Sequence, residues 1–418
     1  MPAAISSAGI QIGLASLIVN SSRVAFVGYE WWVIGDATSG VYPQSGHVTL
    51  FSANDDFGES AFRDGNFSEV DGYTAHKFGP ILYYYANNPT GMTEWTTPNE
   101  YAGSTLQQGM ESIANTINKT SSKEYAAITA RTLASEATVD NNKWSSEKID
   151  YDYIDGIAGQ GAANQKLWAL SRAEAKAINN KDMISYGNRY WWLRSPGFTA
   201  YYVALGHYNS YINSVGNVNA NYDAVWPALS LNLSSILFTS AASESGKSSA
   251  TAGGDLVSAE TPTGTVKFTM TDSTQTLNLC VTKEQSTQKG ETLAFDYSNA
   301  TTGTNQYVSC VLTDSDGAAA YYGKLKDCSE ENAASGTVSI PLTGITDGTY
   351  TLKIFSEEAN GDTYTDFCSE PVTVNVTVSD GKGAVQHDHT GGTAACKDAA
   401  KGIKKADTVT AKENTAAE

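Results

Sequence analysis

Between Ser104 and Ile117 the apolar residues Leu106, Met110, Ile113 and Ile117 recur every three or four positions. That spacing draws one stripe along an α-helix, with Ser104 placed to cap it. Lys123-Glu-Tyr-Ala-Ala-Ile128 predicts a second helix. Ser171-Arg-Ala-Glu174 has the form of a capping box opening a short helix from Arg172 to Asn179, after a strand at Leu167–Leu170. Elsewhere in the first half the pattern is that of strands. Val24–Gly35 and His47–Ser52 predict a pair around a Gly-, Pro- and Ser-rich turn, and Ile10–Val19 predicts folded strand rather than a signal peptide. This interleaving predicts an α+β domain over residues 1–238, built around a modest antiparallel sheet.

The pattern then changes twice. Residues 239–261 are rich in Ser, Ala and Gly, offer little to bury, and predict a flexible linker. Beyond them, period-two runs such as Val266–Met270, Leu293–Tyr297, Tyr307–Leu312, Tyr350–Phe355 and Val372–Val378 alternate with Gly- and Asp-bearing turns. About eight such strands predict an all-β immunoglobulin-like sandwich over 262–379, with Asp347-Gly-Thr-Tyr350 resembling a tyrosine corner. Its role would be spacing. Asp314-Ser-Asp-Gly317 predicts a hairpin turn rather than a calcium loop. Residues 380–418, nearly devoid of large apolar side chains, predict a disordered tail.

Composition narrows the functional classes. The 418 residues carry 45 Asp and Glu against 27 Lys and Arg, a formal net charge of −18, which argues against nucleic acid and anionic membranes as partners. With 23 Tyr and 37 Gly the chain has the character of a β-rich secreted protein. No run is long enough to span a membrane. The expectation is a secreted or surface-displayed protein whose export signal and anchor are not present in this chain. All five cysteines, Cys280, Cys310, Cys328, Cys368 and Cys396, follow residue 279. Four would pair within one domain, in any of three connectivities, or remain reduced.

Enzyme chemistry finds little support. His47, His76 and His207 are the histidines before residue 239, with no cysteine beside them, which falls short of a catalytic zinc site. Neither a Gly-x-Ser-x-Gly elbow nor a phosphate-cradling Gly-x-x-x-x-Gly-Lys motif occurs. Asp150-Tyr-Asp-Tyr-Ile-Asp-Gly156 departs from the EF-hand spacing and reads as a polar turn. His387, His389 and Cys396 would be weak ligands in a tail. No cofactor, no metal and no enzymatic activity are expected.

Residues 190–233 point to binding instead. Trp191-Trp192, like Trp31-Trp32, should bury one indole and turn the other to a second layer or a groove. Arg194 is expected to bridge carbonyls or a carboxylate and fix where the chain leaves the sheet. Between Thr199 and Asp223 the candidates for ligand contact crowd together: Tyr201, Tyr202, His207, Tyr208, Asn209, Ser210, Tyr211, Asn213, Asn217, Asn219, Asn221, Tyr222 and Asp223. Tyr supplies wide, stiff contact area, and Asn and Ser supply adaptable hydrogen bonds, as in antibody paratopes. Asn-rich segments also make plain turns, but turns do not call for so many tyrosines.

Tyr190-Trp-Trp-Leu-Arg-Ser-Pro-Gly197, Val215-Gly-Asn-Val218 and Val225-Trp-Pro-Ala-Leu-Ser-Leu-Asn-Leu233 resemble a domain family of surface proteins from gut Firmicutes, related to C-type lectin-like and formylglycine-generating-enzyme folds. Trp31-Trp-Val-Ile-Gly35, Ser104-Thr-Leu106 and Leu170-Ser-Arg-Ala-Glu-Ala175 extend the resemblance over most of residues 20–238. It implies a C-type lectin-like domain. The family pattern has Arg where this chain has Trp226, which adds Trp226 to the contact candidates. The cysteines behind formylglycine chemistry and the calcium-lectin signatures have no counterpart, so neither activity is carried over. Some lectin-like proteins of this kind are variable proteins of diversity-generating retroelements, and the mixture at 199–223 resembles such an outcome. The whole implies an extracellular adhesion protein whose partner is a protein or a glycan. The alternatives are a structural surface module, or a degenerate formylglycine-generating-like enzyme.

Overall fold

The computed structural model describes residues 6–7, 10–11, 17–53, 101–102, 104–134, 161–184, 190–196, 202–206, 212–217, 224–242, 246–259, 264–280 and 285–386. The chain divides into two compact units, Met1–Ser7 with Leu17–Ser234, and Ala8–Ser16 with Ser235–Glu418.

In the first unit, β1 (Arg23–Phe26), β2 (Tyr29–Gly35), β3 (His47–Ser52) and the later Pro227–Asn232 form one antiparallel sheet. The free edge of Pro227–Asn232 is shared by two short strands, Ile128–Thr129 and Leu167–Ala169. Val27 and Gly28 join β1 to β2 at φ 51° and 85°, the handedness that a two-residue hairpin turn requires. A β-branched residue is disfavoured at positive φ. Here the buried Glu124 carboxylate accepts the Val27 N–H at 3.0 Å and holds the turn.

Helix α1 (Thr105–Thr120) forms where the stripe predicts it, and Leu106, Met110, Ile113 and Ile117 are all buried. Ser104 Oγ accepts the Gln107 N–H at 3.2 Å. Helix α2 (Ser122–Ala127) follows at once, and the capping box of α3 (Arg172–Lys176) closes in both directions between Ser171 and Glu174. The last α-helix among the described residues, α4, is the single turn Lys181–Ile184.

The second unit carries a larger sheet and a smaller one. In the larger, Gly348–Glu358 pairs with Gln306–Thr313 on one side and Val372–Ser379 on the other, while Asp366–Cys368 lies antiparallel to its end and parallel to Thr265–Thr271. Ile236–Ala241 pairs beyond Thr265–Thr271. Asn278–Cys280, Thr292–Ser298 and Gly336–Pro341 form the smaller, antiparallel sheet. Leu293, Phe295, Val338 and Ile340 from it join Val308, Leu352 and Val376 from the larger one in a single apolar core. Tyr350 donates to the Thr346 carbonyl at 3.0 Å. Asp314 Oδ1 accepts the N–H groups of Asp316 and Ala318 at 3.0 and 2.9 Å, so it makes a hairpin turn.

An α+β C-type lectin-like domain followed by an immunoglobulin-like sandwich is not the architecture found. Among the described residues strand accounts for 48% and helix for 14%, with four α-helices and mixed sheet pairing. The reason is partly length: beyond α1, the two runs that read as helix close after one or two turns, at Ser122–Ala127 and Arg172–Lys176. The stretch 239–261 also corrects the reading of a linker. It contains the end of Ile236–Ala241, a 3₁₀ turn at Gly246–Ser249 and the strand Val257–Ser258, which pairs with Ala319–Asp327. Backbone pairing needs no large side chains, so composition did not reveal it. Lys382–Gln386 likewise pairs with Val372–Ser379 inside the segment read as tail, and residues 387–418 lie outside the described residues. Cys310, Cys328 and Cys368 are free, buried thiols. Burial pushes the Cys310 and Cys368 thiols up, away from the reactive thiolate.

Replacing Ser104 by Ala should lower the unfolding free energy by about 1 kcal/mol, and Met110 by Ala by about 2–5 kcal/mol, in urea titrations of the full chain. A negligible loss at Met110 would show that the stripe is not the buried face of α1.

Candidate functional site

The candidate segment is organised by three antiparallel strands, β4 (Trp191–Pro196), β5 (Tyr202–Gly206) and β6 (Ile212–Asn217). Their register sets Trp191 opposite Gly206, Trp192 opposite Leu205, and Tyr202 opposite Asn217. The chain returns at Ala224, whose N–H and carbonyl bond Tyr190 and Trp192 at 2.7 and 3.0 Å, and then enters Pro227–Asn232. Both ends of the segment are thereby tied to the same place.

An aromatic stack fills the space beneath. Trp191 lies 5.4 Å from Trp226 in a stacked arrangement and 5.2 Å from Phe51. Its Nε1–H donates to the Ile184 carbonyl at 3.3 Å. Trp192 is buried as well, so neither indole of this pair lines a groove; of the other pair, Trp31 is buried and Trp32 half-buried beneath the Arg23 guanidinium. A Cβ at Gly206 would come within 2.0 Å of the Trp191 ring, so glycine is what lets the two strands close over the indole.

Arg194 is 1% exposed and pairs with the Glu174 carboxylate, the one that also accepts the Ser171 N–H in the capping box at 2.9 Å. Its Nη2 also donates to the Tyr42 hydroxyl at 3.1 Å. The Arg131 guanidinium lies 4.3 Å from the Tyr42 ring centroid. Burial, with Glu174 adding to it, pushes the Tyr42 phenol well up, so it serves as a neutral partner. Sequence reasoning left carbonyls or a carboxylate as partners for Arg194 and gave Glu174 a capping role, but nothing in the spacing linked the two or pointed to Tyr42.

The candidates fall into three groups. Tyr202, Asn213 and Asn217 lie in β5 and β6. Tyr201, His207, Tyr208, Asn209, Ser210, Tyr211, Asn219, Asn221, Tyr222 and Asp223 lie outside the described residues, in the stretches before, between and after these strands. Trp226 is 2% exposed and belongs to the aromatic stack, so its side chain offers no free contact surface. Among the described residues no group of His, Cys, Asp and Glu could hold a metal, and no helix is long and apolar enough to cross a membrane. Asp55-Asp56 and Asp150–Gly156 lie outside the described residues. No family model, no curated protein and no solved structure matches the chain.

Arg194→Met leaves the Glu174 carboxylate without its buried partner and should cost about 3–5 kcal/mol of stability. Trp226→Ala should cost a similar amount, about 3–5 kcal/mol, through the cavity it opens. Both are read from denaturant titration, and losses near zero would contradict the packing described.

Proposed function

We propose that the chain is an extracellular binding protein of bacteria whose residues 199–223 form a Tyr- and Asn-rich recognition surface for a protein or a glycan, without a cofactor. One observation carries the reading: a three-stranded sheet fixed by Trp191, Trp226, Arg194 and Glu174 bounds a segment whose strand-linking stretches hold most of the Tyr, Asn, Ser and His candidates. A rigid frame combined with adaptable polar side chains is the division of labour that lowers the entropic cost of binding. The charge of −18 keeps nucleic acid and anionic membranes out of the reading.

The test replaces Tyr208, Tyr211 and Tyr222 together with Ala and compares capture on immobilised panels of cell-surface glycans and extracellular proteins. Capture by the variant should be weaker than capture by the wild type by roughly tenfold or more per contact residue lost, with Tm nearly unchanged. Capture that survives the triple substitution, or a fall in Tm like that of Trp226→Ala, contradicts the proposal.

Diversification of this surface by a retroelement belongs to the same proposal and leaves a genetic signature. Natural copies of the gene should differ mainly within codons 199–226, at adenines, while 190–196 and 227–233 stay fixed. Substitutions spread evenly across 17–234 would contradict it.

A further inference from the structure

Four charged side chains meet inside the second unit: Lys247, Lys267, Glu357 and Asp366 are each 5% exposed or less. Lys247 lies on the 3₁₀ turn Gly246–Ser249, Lys267 in the strand Thr265–Thr271, Glu357 near the end of Gly348–Glu358, and Asp366 opens Asp366–Cys368. Lys247 Nζ touches both carboxylates: Glu357 Oε1, and Asp366 Oδ2 at 2.5 Å. The remaining oxygens are also held. Asp366 Oδ1 accepts from Lys267 Nζ at 2.8 Å and from the Asn360 backbone N–H at 2.6 Å. Glu357 Oε2 accepts from the Tyr322 hydroxyl at 2.5 Å.

The surroundings are dry and aromatic. Lys247 Nζ lies 5.1 and 5.5 Å from the ring centroids of Phe238 and Tyr322. Those rings pack with Val311, Phe355 and Cys368 in one buried cluster. Burying ions is expensive, and a buried ion pair often stabilises a fold no better than apolar side chains of similar volume. Stability alone is a weak reason for this set.

We propose that Lys247 and Asp366 condense into an isopeptide bond, with Glu357 as the proton carrier. Nζ of Lys247 attacks Cγ of Asp366, the N–C bond forms, and the Cγ–Oδ2 bond breaks. Oδ2 leaves as water with two protons, both from the Lys247 ammonium, so one positive and one negative charge vanish together. No oxidant, reductant or co-substrate is needed. Glu357, on the same nitrogen, takes a proton from Nζ, hands it to Oδ2 and ends ionised. Lys267 and the Asn360 N–H sit where negative charge develops on Oδ1, as preorganised donors should.

Before reaction Lys247 and Glu357 hold each other in the charged form. Burial pushes the Lys247 ammonium down, but Asp366 and Glu357 more than offset it and raise it. Burial pushes Glu357 up, and Lys247 more than reverses that. Moving one proton between these touching groups neutralises both without changing the charge of the site, which a water-poor interior favours. The bond forms once per molecule, so a slow step suffices. In the product every group keeps a partner: the new amide N–H faces Glu357, and its carbonyl faces Lys267 and Asn360. The bond would clamp the 3₁₀ turn, in the stretch that composition marked as a linker, to a strand 119 residues away in sequence.

Intact-mass measurement of the denatured full chain, followed by tryptic mapping, tests this. The expected result is a mass short of the sequence mass by one water, with a branched peptide joining Lys247 to Asp366. Lys247→Arg and Glu357→Gln should both restore the full mass while far-UV circular dichroism stays that of a folded protein. A wild-type chain at full mass with linear peptides overturns the proposal, whether or not the variants fold. A branch at Lys267 overturns the assignment of the nucleophile, and a bond that persists in Glu357→Gln overturns the role of Glu357.

Discussion

The Trp191 indole occupies the space where a side chain at position 206 would project, and that constraint organises the first unit around it. Gly206 admits the ring, the register Trp191–Gly206 follows, and the strands on either side are set by it. Stacking on Trp226 and contact with Phe51 fasten the same ring to the central sheet. Aromatic pairs in these geometries add about 0.5–1.5 kcal/mol beyond the area they bury. Their larger effect is geometric, because the segment that begins at Pro196 and ends at Ala224 has both of its ends fixed.

Buried charge plays different parts in the two units. In the first, the Arg194 and Glu174 pair ties β4 to the capped start of α3 and the Tyr42 hydroxyl, so one carboxylate serves a helix terminus and a strand at once. In the second, two ammonium groups and two carboxylates converge where only one pair would be needed to neutralise the site. Lys267 is pushed below its ordinary value by burial, with Asp366 offsetting only part of the effect. One oxygen of Asp366 is held by donors while the other faces the Lys247 nitrogen, which is the arrangement the proposed condensation requires.

What could be read in the sequence was what local spacing determines. The stripe through Leu106, Met110, Ile113 and Ile117, the cap at Ser104 and the capping box at Ser171 and Glu174 all stand as the residues imply. The strands between 265 and 379 follow from their alternation and turn residues. What depends on distant partners was hidden. The parallel pairing of Asp366–Cys368 with Thr265–Thr271 leaves no local mark. Lys247, Ala250 and Leu256 are buried in a stretch whose small residues suggested a linker. Trp226 looked like a contact residue because it replaces an Arg of the resembling family, whereas its ring is core. The proposal of a recognition segment rests on composition, the crowding of Tyr among Asn and Ser between Thr199 and Asp223, a chemical signal that needs no fold to be visible.

Exposure of the segment's tyrosines tests the central claim most directly. Mild acetylation of the native full chain, with modified sites mapped by mass spectrometry, should label Tyr201, Tyr208, Tyr211 and Tyr222 readily. Tyr101 and Tyr322, 0% and 1% exposed, should stay unmodified until denaturant is added. If the four segment tyrosines resist labelling as Tyr101 and Tyr322 do, residues 199–223 are packed structure and the recognition surface does not exist.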